Sequence, residues 1–380
     1  MEKEFKILHQ DNSSSARVGL LRTSHGDIQT PAFAPVASQG SVKALTHEIV
    51  AGLGAQLILV NAYHLFLRPG IKTINNLGGI HSFISWPGPI LSDSGGFQIY
   101  SLSPLTRISK KGVSFSSHID GTKIFLTSEK VVDIQLQMGT DILMPLDNFA
   151  PYPSPKPTAE ESVNLTTEWT ERAREHFVKH KLSSSRFLFG ICQGGVFRDL
   201  REKSIEDLVR FEFDGYSLGG LGLGEPKSLF NEIVEYSTQL LPPDKPRYLM
   251  GIGYIADILE AVKKGVDLFD CVLPTRNART GTLFTNQGKL VIKHKRYTDD
   301  HLPIDETCSC YTCSNFSRAY LRHLYERNEI TSSILNTIHN LHFYLDIFRK
   351  IRQAIELNSF DKFKCNLLEK LTKDKEDDSF

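Results

Sequence analysis

Short, almost uninterrupted apolar runs recur along the chain at residues 29–37, 56–61, 89–93, 141–147, 186–193, 215–219, 247–251 and 268–275. They lack the polar alternation of a half-solvated strand, so the pattern predicts strands covered on both faces. Segments with helical spacing separate most of them, at 46–53, 128–138, 159–180, 199–209, 226–240 and 255–264. Eight strands alternating with helices over about 250 residues predict an α/β fold of the (β/α)8 barrel type rather than an open doubly wound sheet. Beyond the last run, 282–303 is partly strand-like, 315–326 is helical, 341–357 is a long helix and 373–378 is a charged, solvated tail.

A barrel places its chemistry at the carboxyl ends of its strands. The third run ends in Asp93-Ser94-Gly95-Gly96-Phe97, the fourth in Asp147, and the fifth in Gln193-Gly194-Gly195. The sixth ends in Gly219-Gly220, the seventh in Met250-Gly251, and the eighth carries Asp270. Glycine pairs at strand ends are usually turns, but here they share one rim with three aspartates and a glutamine. Asp147 can accept two parallel N–H bonds, Gln193 can donate an amide N–H, and Gly220 can offer a backbone N–H. Phe97 and Met250 can cover flat faces. Such a pocket suits a purine, guanine better than adenine, because guanine presents N1–H and an amino group to one carboxylate. Asp93 and Asp270 remain as a carboxylate pair for displacement and proton transfer.

Asp270 interrupts an apolar run and is followed by Pro274, which ends the regular strand, and by Arg276 and Arg279 on an expected loop. From 271 to 298 there is no acidic residue, whereas Lys289, Lys293, Lys295 and Arg296 add positive charge. A core strand with one satisfied aspartate and a solvated loop would account for this. So would a nucleophile beside a polyanion-binding surface. The 380-residue chain has 44 basic and 44 acidic side chains, which argues against generic nucleic-acid coating but not against a local basic stripe. No apolar stretch is long enough to span a membrane, and the charged start lacks the core of a signal peptide, so a cytoplasmic protein is expected. Three of the six cysteines cluster at Cys308, Cys310 and Cys313, the spacing of a metal site in a reducing compartment. A fourth ligand is needed for tetrahedral zinc. On spacing alone, His323, His339 and His342 all qualify.

SDSGGFQ at 92–98, GICQGG at 190–195, GYSLGGLGLGE at 215–225, YLMGIG at 248–253 and FDCVLPTRNAR at 269–279 occur in that order. With the C-x-C-x2-C cluster and HNL at 339–341, they resemble the bacterial tRNA-guanine transglycosylases over nearly the whole chain. The resemblance implies a (β/α)8 barrel with an inserted zinc-binding subdomain. Its expected limits are 1–285 for the catalytic barrel, 286–340 for the zinc subdomain, and 341–380 for the last barrel helix and tail. It implies a homodimer that replaces guanine at the wobble position of GUN-anticodon tRNAs (Asp, Asn, His, Tyr) with 7-aminomethyl-7-deazaguanine or queuine, in queuosine formation. By the same resemblance Asp270 is the nucleophile on ribose C1′ and Asp93 the general acid and base. Asp93, Ser94, Gly95, Gly96, Phe97, Asp147, Gln193, Gly220 and Met250 bind the base. Gly251, Ile252, Gly253, Tyr254, Ile255, Ala256 and Asp257, with Thr275, Arg276, Asn277, Ala278 and Arg279, hold tRNA. Cys308, Cys310, Cys313 and His339 hold one structural zinc ion.

The chain departs from the family pattern where Asn148-Phe149 follows Asp147, in place of an acidic residue and cysteine, and at Gly222, where alanine is common. Read as more space and less negative charge near the 7-position, these differences lead to the expectation that queuine is accepted better than by typical bacterial relatives. Two rival readings are weaker. A non-catalytic tRNA-binding partner subunit would not need both Asp93 and Asp270. A barrel-class zinc hydrolase would need a histidine cluster on the rim, and none is there.

Overall fold

The computed structural model describes residues 3–102 and 106–372; the expected tail at 373–378 lies outside them. Eight parallel strands form one sheet: β1 (Ala32–Pro35), β2 (Ile58–Asn61), β3 (Ile90–Asp93), β4 (Ile142–Leu143), β5 (Phe187–Cys192), β6 (Gly215–Leu218), β7 (Arg247–Leu249) and β8 (Leu268–Cys271). Their order is β1-β8-β7-β6-β5-β4-β3-β2, and a parallel bridge between Val36 and Leu59 brings β1 back to β2. The expected barrel is therefore present, with helices around it.

Leu59, Leu91, Ile142, Phe189, Ile191, Tyr248 and Leu268 fill the interior, joined by Leu21 and Ile28. The last two come from an antiparallel sheet of Glu4–Gln10, Arg17–Thr23 and Gly26–Thr30 that the sequence pattern did not reveal. Two buried aspartates fasten this sheet to the amino ends of the barrel strands. Asp267 accepts both Nε (3.0 Å) and Nη2 (2.6 Å) of Arg17, and Asp141 is 2.7 Å from His25 Nδ1. That end of the barrel is thereby plugged, leaving the carboxyl end for chemistry.

Several expected boundaries move, each for a local reason. The run 29–37 divides at Pro31: Thr30 pairs with Gly19 in the antiparallel sheet, while Ala32 enters the barrel. The run 141–147 shrinks to two paired residues, because the side chain of Gln135 takes over the backbone of Met144. Its Oε1 accepts from Met144 N at 2.9 Å and its Nε2 donates to Met144 O at 2.8 Å. Arg276 and Arg279 lie on a short helix, Leu273–Arg279, not on a loop. Pro274 sits in the first turn of that helix, where its missing N–H costs nothing.

The helix expected at 341–357 begins much earlier and runs Ile330–Glu356 without a break. Its first half buries Ser332, Asn336, Thr337, His339 and Asn340, which hides the apolar period. Asn340 accepts from Phe284 N (3.0 Å) and donates to Pro274 O and Thr282 O (3.0 Å each). It thus ties the long helix to the 273–279 helix and to the hairpin Thr282–Thr285/Gly288–Val291. The boundary expected at residue 340 consequently falls inside one continuous helix shared by barrel and subdomain. The helical stretch expected at 315–326 resolves into Tyr311–Asn315 and Arg318–Glu326.

Candidate active site and metal centre

The barrel register sets the positions of the rim carboxylates. Asn61 and Asp93 are register partners at the ends of β2 and β3. Asn61 Nδ2 donates to Asp93 Oδ2 at 2.8 Å, while its Oδ1 accepts from His64 N at 3.2 Å and caps the following helix. Burial, with Asp147 and Asp270 nearby, pushes the Asp93 carboxyl up to about 7, against hydrogen bonds from the backbone of Gly95 and Ser94. Asp147 stands just beyond β4 and accepts from Gln193 Nε2 at 2.8 Å. Burial pushes its carboxyl up to about 6, opposed by Gln193 and Ser94. On Asp270, Oδ1 accepts from the Tyr248 hydroxyl (2.5 Å) and from Gly251 N (2.8 Å). Burial raises its pKa, and those two donors work the other way. Burial and the adjacent Asp270 hold the Tyr248 phenol well above its ordinary value, so it stays a donor.

Two of the rim glycines lie where a side chain would not fit. A Cβ on Gly96 would come within 2.6 Å of Asp147 Oδ1, and one on Gly220 (φ +64°) within 2.6 Å of Gln193 Oε1. The Phe97 ring, half exposed, stacks on Phe149 at 5.3 Å between centroids. Phe149 therefore extends the aromatic wall. Met250 packs against the interior cluster at the end of β7. Gly222 does not open the space expected of it. Its φ is +74°, and a Cβ there would meet Ile252 Cδ1 at 2.4 Å, so the place of the missing methyl is already filled. The buried carboxylate of Glu225 fixes this loop by accepting from Gly222 N (2.5 Å) and Leu223 N (2.9 Å).

The two segments expected to hold RNA are only partly available. Gly251, Tyr254 and Ala256 are exposed, whereas Ile252, Gly253, Ile255 and Asp257 are buried, the last paired with Lys227. In the second segment Arg276 is exposed, while Thr275 and Ala278 are buried. Asn277 is half-buried, and Arg279 donates from Nη1 to Thr275 O at 2.7 Å. The Tyr254 ring is flanked by Lys227 Nζ (5.5 Å from the centroid) and Lys289 Nζ (5.0 Å), a basic and aromatic surface beside the rim.

Cys308, Cys310, Cys313 and His339 converge and could hold a metal ion. His339 Nδ1 is 3.7, 3.6 and 3.3 Å from the three sulfurs in that order. Tetrahedral ligands of zinc, with bonds of about 2.3 Å to sulfur and 2.0 Å to nitrogen, would be about 3.5 Å apart. His339 Nε2 lies 2.7 Å from Phe284 O, which selects the tautomer with a lone pair on Nδ1. His342 reaches only Cys308 (3.5 Å), and His323 does not belong to the cluster. A second group, His25, His81 and Asp141, lies at the plugged end. Its imidazoles are stacked 3.6 Å apart at 18°, so their lone pairs do not converge on one ion.

Asn61, Tyr248 and Glu225, which hydrogen-bond to Asp93, to Asp270 and to the Gly222 loop, are not singled out by the sequence pattern. Only Asn61 carried a signal, as a polar residue ending an apolar run in the manner of Asp93.

Fold and site define a barrel enzyme with an acid-rich pocket at the carboxyl end of its strands and a Cys3His centre outside the barrel. The family model for queuine tRNA-ribosyltransferase matches residues 11–373. The chain is 53% identical over 369 residues to the queuine tRNA-ribosyltransferase of Thermodesulfovibrio yellowstonii, covering 97% of this chain and 95% of that protein. It is 51% identical to that of Nitratidesulfovibrio vulgaris (92% and 93% covered) and 48% identical to that of Aquifex aeolicus (97% and 98%). The chain belongs to the queuine tRNA-ribosyltransferase family.

Proposed function

We propose that this protein exchanges guanine at the wobble position of GUN-anticodon tRNAs for a 7-deazaguanine, with 7-aminomethyl-7-deazaguanine as the incoming base, in queuosine formation. The observation that carries this reading is the meeting of Asp93, poised near neutral pH, with Asp270, oriented by Tyr248 and Gly251, on one rim beside the Asp147–Gln193 pair. In the first displacement an Asp270 oxygen bonds to ribose C1′ as the bond from C1′ to guanine N9 breaks. Protonated Asp93 gives its proton to the departing base and becomes a carboxylate. In the second, Asp93 takes the N9 proton of the incoming base, N9 bonds to C1′, and the Asp270–C1′ bond breaks. Two inversions retain the configuration at C1′. Asp147, Gln193 and Gly220 hold the Watson–Crick edge, with Phe97 and Met250 on the faces.

Gly251, Tyr254, Ala256 and Arg276 are the exposed members of the tRNA-holding segments. Zinc in the Cys3His centre, one ion per subunit, supplies structure and no chemical step, because four protein ligands leave no open position. Barrel, zinc subdomain and last helix act as one unit, and the tRNA substrate places the activity in the cytoplasm. A homodimer is part of the proposal, supported by the exposed Tyr311, Tyr320 and Ile330 on the subdomain. The test is exchange of labelled guanine into a GUN-anticodon tRNA, chased in parallel by 7-aminomethyl-7-deazaguanine and queuine. Absence of guanine exchange overturns the reading. A tenfold or greater preference for the aminomethyl base would exclude the relaxed queuine acceptance expected from Asn148, Phe149 and Gly222.

A further inference from the structure

Beneath the base pocket lies Arg201, a wholly buried cation on the helix Arg198–Arg210. Its hydrogen bonds run to main-chain carbonyls, and Nη1 also lies 3.7 Å from Cys192 Sγ. Nε donates to Gly195 O (2.9 Å), Nη1 to Cys192 O (3.0 Å), and Nη2 to Gly219 O (2.9 Å), with a longer contact to Gly220 O (3.5 Å). Among the described residues no carboxylate forms an ion pair with it. Burying a guanidinium without a counter-ion is costly, and the cost is offset here mainly by a set of carbonyl dipoles converging on one fork.

Those carbonyls bracket the residues proposed to read the base. Cys192 ends β5 immediately before Gln193, and Gly219 follows β6 immediately before Gly220. Cys192 O also accepts from Gly219 N at 3.0 Å, so Arg201 clamps two adjacent strand ends at their junction. The Gly219–Gly220 peptide is trans, and in a trans peptide C=O and N–H point in opposite directions. Drawing Gly219 O down onto Nη2 turns Gly220 N–H away from Arg201. The positive φ of Gly220 makes that arrangement accessible without strain.

We infer that Arg201 is a positioning residue for base recognition: its fork fixes the Gly219–Gly220 peptide and the strand end that carries Gln193, so that Gly220 N–H and the Gln193 amide face the bound base. The inference rests on the base-exchange reading above. Lysine cannot replace it, since an ammonium has no planar fork to span carbonyls on two strands.

Arg201→Lys and Arg201→Gln are compared with the wild type in two assays: calorimetric binding of free guanine, and guanine exchange with the concentrations of base and tRNA varied separately. The expected result is a tenfold or greater rise in the guanine Kd and KM of both variants, with KM for tRNA within twofold of wild type. Guanine constants within twofold of wild type, or equal losses for base and tRNA, overturn it. Insolubility of both variants would assign Arg201 to folding and overturn it equally. A wild type that binds guanine but exchanges none would sink the exchange reading while the binding comparison still tests Arg201.

Discussion

Replacing Asp93 by asparagine separates a functional cost from a folding benefit. An aspartate in an unfolded chain titrates near 3.8, whereas here burial and two neighbouring carboxylates move it to about 7. The folded state therefore binds a proton that the unfolded state has released between those values, and stability falls as pH rises through that window. At about 1.4 kcal/mol per tenfold change in proton affinity, the penalty at pH 8 is at most about 4 kcal/mol. Asparagine removes it but surrenders one acceptor oxygen among the bonds from Asn61, Ser94 and Gly95, at a cost of about 1–3 kcal/mol. The variant should thus be more stable than wild type by about 1–3 kcal/mol at pH 8, and the difference should shrink steadily towards pH 4 and vanish or reverse there. Urea unfolding at pH 4.5, 6 and 8 measures this through the midpoint at constant m-value. Base exchange by the same protein should drop by about 100-fold or more, the usual share of a general acid and base. An Asp93→Asn protein no more stable than wild type at pH 8, or a difference independent of pH, would refute the electrostatic account.

Asp270→Asn should bind tRNA normally yet form no adduct that survives denaturing electrophoresis, with exchange reduced by about 1000-fold or more; normal turnover would remove Asp270 from the nucleophile role. Cys310→Ala should lose its zinc, measured by emission spectrometry, and melt at lower temperature, because structural zinc binding is coupled to folding; unchanged stoichiometry and melting would place the metal elsewhere. Arg276→Ala should weaken tRNA binding and reduce the slope of log K against log salt by about 1. Arg279→Ala, whose charge is already engaged with Thr275 O, should change the slope less; equal slopes for both variants would contradict the distinction drawn from their exposure.

Strand identity was legible because barrel strands are apolar on both faces, and the chemistry was legible because polar residues end those strands. Asp93, Asp147, Gln193 and Asp270 stand out for that reason. Extent was less legible. The end of β4 depends on Gln135, a residue on a neighbouring helix. The start of the long helix is masked by buried polar residues whose partners are remote in sequence, such as Asn340 with Pro274 and Thr282. The amino-terminal sheet alternates exposed and half-buried residues in its first strand, and what holds it is Arg17 and His25 meeting aspartates far along the chain. The consequence of Gly222 was also hidden, since it depends on where Ile252 points.

The long helix Ile330–Glu356 joins two separate places. Near one end His339 faces the cysteine cluster, and five residues on Tyr344 donates its hydroxyl to Gly253 O at 2.6 Å. Gly253 belongs to the turn whose Gly251 N–H orients Asp270. Further along, Phe348 packs on Phe33 and Phe269 of β1 and β8, and Arg352 Nη1 reaches Pro31 O at 2.8 Å. The Cys3His cluster and the rim that carries Asp270 therefore share one rigid rod. A cell short of metal would not simply hold a less sturdy enzyme. On the proposed loading of the centre, it would hold fewer molecules with the Asp270 turn in register, and metal supply would bear on base exchange without the ion touching the substrate.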